Sequence, residues 1–385
     1  MSVEEAVERI ASSEFVRIVA HADADGVSSA ACLCSALSSL GIGYHFTALE
    51  DPSDAGKANA DVFCDLGAAY LDRMDTTTET VVIDHHPPRG TEGFDGVLVG
   101  TDAPSSSVTA YRVAREIGAV NPVTALVGAV GDGVSLDDED VSYVVEDAVE
   151  TGVEHGEGVR IVGENYVEAL AYSTRPFTRL SGNYDEARSF IDEVDEDDIS
   201  TAVVLLALTQ EGSRPNAVAE LVGDLYHFPS GVHLHELARY VEACAVSGKH
   251  GLALSLCLDT GAHLEEAREV WRAFESSVIE KVRGAKVEEG ENRKPAFART
   301  HGGFDTGAVA DALYDWVTGD IVVVNEDGEA SFRADSFDCG RVARESARAV
   351  GGEGGGHTSR AGASFSASDV SRDEFFEAVR RAIRQ

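Results

Sequence analysis

Asp84-His85-His86 follows the β-branched run Val81-Val82-Ile83 and is closed by Pro87 and Pro88. Neutral imidazole beside carboxylate is a donor set for Mn2+, Zn2+ or Fe2+, and it suits Ca2+ poorly. Three more acidic loops come after apolar runs: His21-Ala22-Asp23-Ala24-Asp25-Gly26, Asp65-Leu66-Gly67 and Gly131-Asp132-Gly133. Singly, each has a plain reading as an Asx turn, a helix cap or a glycine turn. Gathered in one place, their carboxylates would repel strongly unless cations neutralised them. Two divalent ions do this, and a bridging carboxylate can hold them roughly 3.5–4 Å apart, the spacing that clamps the attacking and leaving oxygens of a phosphoryl displacement. Asp23 and Asp25, two residues apart, can aim at neighbouring ions if the loop continues its strand.

The elements that must position these groups read as a parallel α/β sheet. Strands are predicted over 15–20, 44–49, 61–64, 80–83 and 97–99, and helices over 3–12, 27–40, 106–117 and 122–130. Three adjacent β-branched residues suit a strand buried on both faces, and the prolines stop it. The acids and histidines then lie at strand carboxyl ends, where open α/β sheets place ligands. The run Ser105-Ser106-Ser107 is a good N-cap for the helix over 106–117.

From 134 to about 285 the pattern is mostly helical, with apolar residues at helical spacing over 201–209, 217–226 and 234–245. A long charged helix over 263–284 reads as a connector, and Glu288-Glu289-Gly290-Glu291-Asn292 breaks the chain after it. A second α/β unit follows, with strands predicted over 295–300, 321–325 and 329–334 and helices over 306–317, 340–350 and 371–384. The run Gly351-Gly352-Glu353-Gly354-Gly355-Gly356-His357 lies between the last two helices. The expected organisation is a metal-binding core over 1–175, a helical middle and connector over 176–285, and a smaller α/β domain over 286–385, to which the family resemblance given below assigns substrate binding.

The chain has 385 residues and a formal charge of −37, from 68 acids against 31 bases. Five of the bases are lysine. Acid excess with Arg preferred over Lys is the surface chemistry of a protein kept soluble in molar salt, which points to a halophile. Residues 331–385 escape this acidification, with nine Arg and eight acids, which suggests that they meet something negative. No stretch reaches the roughly 18 apolar residues of a membrane helix. The N-terminus is acidic and shows no signal-peptide pattern, and the six cysteines form no C-x-x-C pair. Reduced thiols in a cytoplasmic protein are the expectation.

Taken together, the four loops resemble the four motifs of the DHH phosphoesterase superfamily, which includes RecJ nucleases, oligoribonucleases, cyclic-dinucleotide phosphodiesterases and family II pyrophosphatases. The glycine run with His357 resembles the Gly-Gly-Gly-His motif of that superfamily's C-terminal substrate domain, and Arg333 in Ser331-Phe332-Arg333 matches the arginine strand before it. The stretches 234–244 and 253–258 look like archaeal RecJ-like proteins. The resemblance implies an N-terminal Rossmann-like parallel-sheet domain, a helical middle and a smaller C-terminal α/β domain. It also implies two divalent ions, Mn2+ foremost with Mg2+ or Co2+ as alternatives. Asp25, Asp65, His85 and Asp132 would hold one ion, and His21, Asp23 and Asp65 the other. Asp84 would orient a histidine, as metal-binding imidazoles require, and His86 would face the substrate phosphate or leaving oxygen. Gly354, Gly355, Gly356, His357, Arg333 and Arg360 would grip substrate through backbone N–H groups and guanidinium forks.

The implied reaction is in-line attack of water on phosphorus at a two-metal site. The leading reading is an exonuclease on single-stranded DNA or RNA. Alternatives are a phosphodiesterase for short oligonucleotides or cyclic dinucleotides, and a non-catalytic replication scaffold. Expected partners are single-stranded nucleic acid or short oligonucleotides and proteins of replication or repair, with no membrane. In molar salt little affinity comes from counterion release, so contacts with nucleic acid must be stacking and direct phosphate bonds.

Overall fold

The computed structural model describes residues 2–209, 218, 221–288, 295–301, 306–314 and 320–385. It divides into two compact units. One comprises Met1–Glu157 and Asp224–Trp271, and the other Gly158–Gly223 and Arg272–Gln385. The residues over 176–285, read from sequence as one middle region, are shared between them.

The first unit is built on the predicted parallel sheet. Its strands are β1 (Phe15–His21), β2 (Gly43–Leu49), β3 (Val62–Cys64), β4 (Val81–Ile83) and β5 (Val97–Val99). They lie in the order β2-β1-β3-β4-β5, all parallel. The chain leaves β1 towards one edge and returns to β3 on the other side, so the order reverses between β1 and β3. In open α/β sheets this reversal opens a crevice at the strand carboxyl ends. β3 and β4 are buried throughout. Phe63, Val82, Leu66, Leu71 and Met74 form one core cluster with Val19.

After α1 (Val3–Ala11), three helices position the motif loops: α2 (Ala24–Leu40), α3 (Ser106–Ile117) and α4 (Pro122–Gly131). α2 packs against β1, α3 and α4, which explains its run of Ala, Ser and Cys: a helix covered on most sides takes small side chains. The Asp23 side chain caps it by accepting the Gly26 N–H at 2.8 Å. Gly26 is required there, since a Cβ would meet the His21 carbonyl oxygen at 2.4 Å. The helices Leu234–Val246 and His250–Leu258 also pack on this layer, against α2 and α4.

The helix expected over 217–226 is corrected: Val222–His227 is a strand, β7, which pairs with β6 (Glu154–Val159) in a two-stranded ribbon. Residues 217, 219 and 220 lie outside the described residues, as do 289–292 of the predicted chain break and 315–317 of the predicted helix over 306–317.

The second unit holds a six-stranded sheet in the order β12-β13-β11-β10-β9-β8. Its strands are β8 (Lys286–Glu288), β9 (Ala296–Arg299), β10 (Ile321–Val324), β11 (Glu329–Arg333), β12 (Glu353–Gly356) and β13 (Arg360–Ser364). The glycine run is therefore an edge strand, antiparallel to β13. The helices Cys339–Ala349 and Arg372–Ile383 cover the sheet, and Phe332, Phe375 and Phe376 are central to the core between them. All six cysteines are buried and unpaired. No helix among the described residues is long and apolar enough to cross a membrane.

Candidate metal centre

Every acid and histidine of the four N-terminal motifs comes together at the β1/β3 crevice. His21 ends β1, and its Nδ1 lies 2.6 Å from Asp23 Oδ2 and 3.5 Å from Asp65 Oδ2. The other oxygen of Asp65 faces the opposite group: Oδ1 lies 3.5 Å from His85 Nε2 and 3.7 Å from His86 Nδ1. Asp132 follows α4, and its Oδ2 lies 3.6 Å from His85 Nε2. Two sets of donors can each close around one ion, His21 with Asp23 and Asp65, and Asp25 with His85 and Asp132. Asp65, facing both, has the disposition of a bridge.

Local structure fixes each donor. Asp65 takes a left-handed backbone with φ 56° just after β3, a conformation that costs an L-residue about 1–2 kcal/mol and that Asp tolerates better than most. The Asp25 carboxylate sits on the amino end of α3, accepting N–H groups of Ser106 at 2.8 Å and Ser107 at 3.0 Å. The Ser106 hydroxyl donates to Asp65 Oδ1 at 2.8 Å and accepts the His85 N–H at 3.1 Å. His85 Nδ1 lies 3.2 Å from the Pro104 carbonyl oxygen. A carbonyl only accepts, so Nδ1 carries a proton, and Nε2 is the ring atom turned to Asp65 and Asp132. Asp84 serves the next histidine: its Oδ1 accepts the His86 N–H at 2.9 Å and bonds His86 Nδ1 at 2.8 Å, while Oδ2 accepts the Ala68 N–H at 2.8 Å.

The electrostatics are those of a site short of positive charge. Burial and then Asp65 push Asp25 up to about 6, and burial and Asp25 push Asp132 up to about 8. Burial opposes charge on His86, yet Asp84 raises it to about 10. Against the same burial, Asp23 holds His21 well above the usual histidine value. Burial would raise Asp23 too, but His21 brings it down to about 2. Protons on Asp25 and Asp132 stand where cations would relieve the repulsion. The donors therefore fit divalent ions, with imidazole and carboxylate in both sets.

The C-terminal candidates form their own group within the second unit. Arg333 and Arg360 are directly opposite across β11 and β13. Two guanidiniums so placed repel unless an anion lies between them. Asp311 supplies it. Its carboxylate accepts from the buried Arg333 and from Arg175, and it lies 4.0 Å from Arg360. Sequence reading missed Asp311 and Arg175, as it missed Ser106 and Pro104 as donor supports. The serine run was visible, but only as a helix cap. Gly354, Gly355 and Gly356 lie in β12, and the His357 carbonyl accepts the Gly340 N–H at 2.8 Å. A Cβ on Gly354 would meet the Ala343 carbonyl at 2.7 Å, so close packing of helix on strand requires a glycine there.

Comparison with known proteins agrees with this architecture. Residues 297–385 match the DHHA1 domain. The chain is 27% identical over 291 residues to an uncharacterized protein of Haloarcula marismortui, covering 72% of this chain and 76% of that one. Its fold is similar to RecJ in complex with Mn2+ from Thermus thermophilus, with a TM-score of 0.57 and 16% identity, over 100% of this chain and 55% of RecJ. The chain thus spans little more than half of that RecJ. It is also similar in fold to CDC45 from Entamoeba histolytica, with a TM-score of 0.59 and 9% identity, over 99% and 98% of the two chains. The chain thus carries a DHHA1 domain over 297–385, and before it Asp84-His85-His86 on a parallel sheet in a fold similar to that of RecJ.

Proposed function

We propose that the chain is a metal-dependent phosphodiesterase that hydrolyses single-stranded DNA or RNA from an end, and that it binds two divalent ions, Mn2+ first among them. The observation that carries this is Asp65, whose two oxygens face the two donor sets 3.5 Å from His21 on one side and 3.5 Å from His85 on the other. His21, Asp23 and Asp65 would hold one ion, and Asp25, Asp65, His85 and Asp132 the other. When bound, the ions would supply charge neutralisation at phosphorus and activation of water. His86 is held by Asp84, which favours its protonated form and, in the metal-free site, raises it to about 10. It can donate to a phosphate or leaving oxygen. Arg360 and the β12 backbone would grip the nucleotide chain, and the similar RecJ structures, with Mn2+ or with Mg2+, support a divalent metal.

The scaffold alternative loses ground because each of the eight motif positions, His21, Asp23, Asp25, Asp65, Asp84, His85, His86 and Asp132, carries a donor or a donor support. End-labelled DNA and RNA ladders, incubated with Mn2+ in high KCl, test the reading. Stepwise shortening of single strands supports it. Cleavage confined to the shortest oligonucleotides or to cyclic dinucleotides moves the protein to that class. Asp65→Ala should abolish activity while the fold survives, because the site lies at a sheet edge. A variant that keeps about a tenth of wild-type activity or more would sink the two-ion reading.

A further inference from the structure

The peptide between Asp23 and Asp25 is tied from outside the motifs. The Ala24 N–H donates to Glu242 Oε2 at 2.7 Å, across 218 residues of sequence. Glu242 belongs to the helix Leu234–Val246, where its neighbours Val241, Ala243, Cys244 and Ala245 are fully buried, so its backbone is anchored in the core. Ala24 is 1% exposed, and water is a poor substitute for the carboxylate there.

The position of this bond matters more than its strength. Asp23 groups with His21 and Asp65, while Asp25 groups with His85 and Asp132. Along the chain, Ala24 directly joins a donor of one set to a donor of the other. Asp23 is already fixed by Gly26 and His21, and Asp25 by Ser106 and Ser107. The Asp23–Ala24 peptide is held from both sides: its carbonyl accepts the Val27 N–H at 3.1 Å within the helix, and its N–H is tied to Glu242 from outside it. We infer that Glu242 is a positioning residue that sets the separation of the two donor sets, an inference that rests on the two-ion reading above. Its reach is what counts: the amide needs an acceptor at that distance from a rigid helix.

Two conservative variants separate reach from charge. Glu242→Gln keeps the acceptor without the charge, and Glu242→Asp keeps the charge but draws the acceptor back by one methylene. Chelator-stripped full-length protein is titrated with Mn2+ by calorimetry, and the Mn2+ electron paramagnetic resonance spectrum of the filled protein reports the coupling between the ions. Circular dichroism checks that each variant is folded. Glu242→Asp should lose about tenfold to a hundredfold in affinity for at least one ion and alter the coupled spectrum, the usual scale for a residue supporting metal ligands. Glu242→Gln should bind and couple as wild type does. The inference is overturned if the Asp variant matches wild type, or if the Gln variant loses as much as the Asp variant. Wild-type protein that takes up no Mn2+ overturns the two-ion reading and this inference with it.

Discussion

Ser106 holds three parts of the metal centre at once. Its N–H goes to Asp25, its hydroxyl donates to Asp65, and the same hydroxyl accepts the His85 N–H. Ser106→Ala keeps the first bond and removes the other two. It leaves the buried His85 N–H without its acceptor, which should cost about 1–3 kcal/mol in urea unfolding. Mn2+ affinity should fall by about tenfold to a hundredfold, as for other supports of metal ligands. A variant equal to wild type in both measurements would show that the hydroxyl is incidental. The two arginines of the C-terminal sheet separate in a different way. Arg333 is buried on Asp311, whereas the Arg360 side chain is 40% exposed. Arg333→Ala should therefore destabilise the fold by about 1.5–3 kcal/mol, the scale for a lost charge-assisted bond, since Asp311 keeps Arg175. Arg360→Ala should leave unfolding nearly unchanged and raise KM for oligonucleotides by roughly tenfold to a hundredfold, the loss of one charge-assisted contact of about 1.5–3 kcal/mol. An unchanged KM would remove Arg360 from the substrate grip.

β1, β3 and β4 were legible because each is an apolar run stopped by a motif loop, and their carboxyl ends had to carry the acids. What the sequence hid were elements whose pattern comes from packing with distant residues. Val222–His227 alternates too weakly to mark a strand, and its pairing with β6 decides it. β12 and β13 consist mainly of glycine and alanine, which have little strand propensity. They form because the helix Cys339–Ala349 must lie close over them. Gly340, in the first turn of that helix, shows how close: a Cβ there would meet the Gly356 carbonyl oxygen at 2.2 Å. The obstacle is backbone, so it cannot swing away. Gly340→Ala should cost about 1–3 kcal/mol, the usual penalty for overpacking, although alanine favours helix. Urea unfolding that shows a gain in stability would mean that the helix can lift from the strand without loss. The donor set was likewise legible residue by residue, while Asp311 and Arg175 were not. An ordinary acid on a helix and an arginine before a proline carry no signal until a fold sets them beside Arg333.

At the scale of the molecule, the charge of −37 and the crowding of acids at one crevice pull the same way: both make a high pH costly for the metal-free protein. Asp25 rises from 3.8 to about 6 and Asp132 from 3.8 to about 8, through burial and neighbouring carboxylates. His86 rises from 6.5 to about 10, with burial opposed and outweighed by Asp84. In each case the folded pKa lies above the unfolded value, so the folded state holds more protons and stability declines with rising pH. For the two carboxylates the loss runs from about pH 4 to 8, and for His86 from about 6.5 to 10. Asp23, lowered to about 2, acts oppositely, but its contribution is complete above pH 4 and is lost only in acid. The first thermal transition of chelator-treated protein should therefore fall steadily between pH 6 and 9, which lies within the range of about 4 to 10 that these shifts span. Divalent ions bind the deprotonated donors and stabilise the folded state by mass action, increasingly as protons leave. Saturating Mn2+ should flatten or reverse the decline in the wild type, and in Asp65→Ala the slope, itself shallower without the Asp65 charge, should be the same with and without Mn2+. Calorimetric scans at constant high KCl hold the general charge repulsion fixed. If the decline is equally steep with and without Mn2+, the acids at the β1/β3 crevice are not a metal centre.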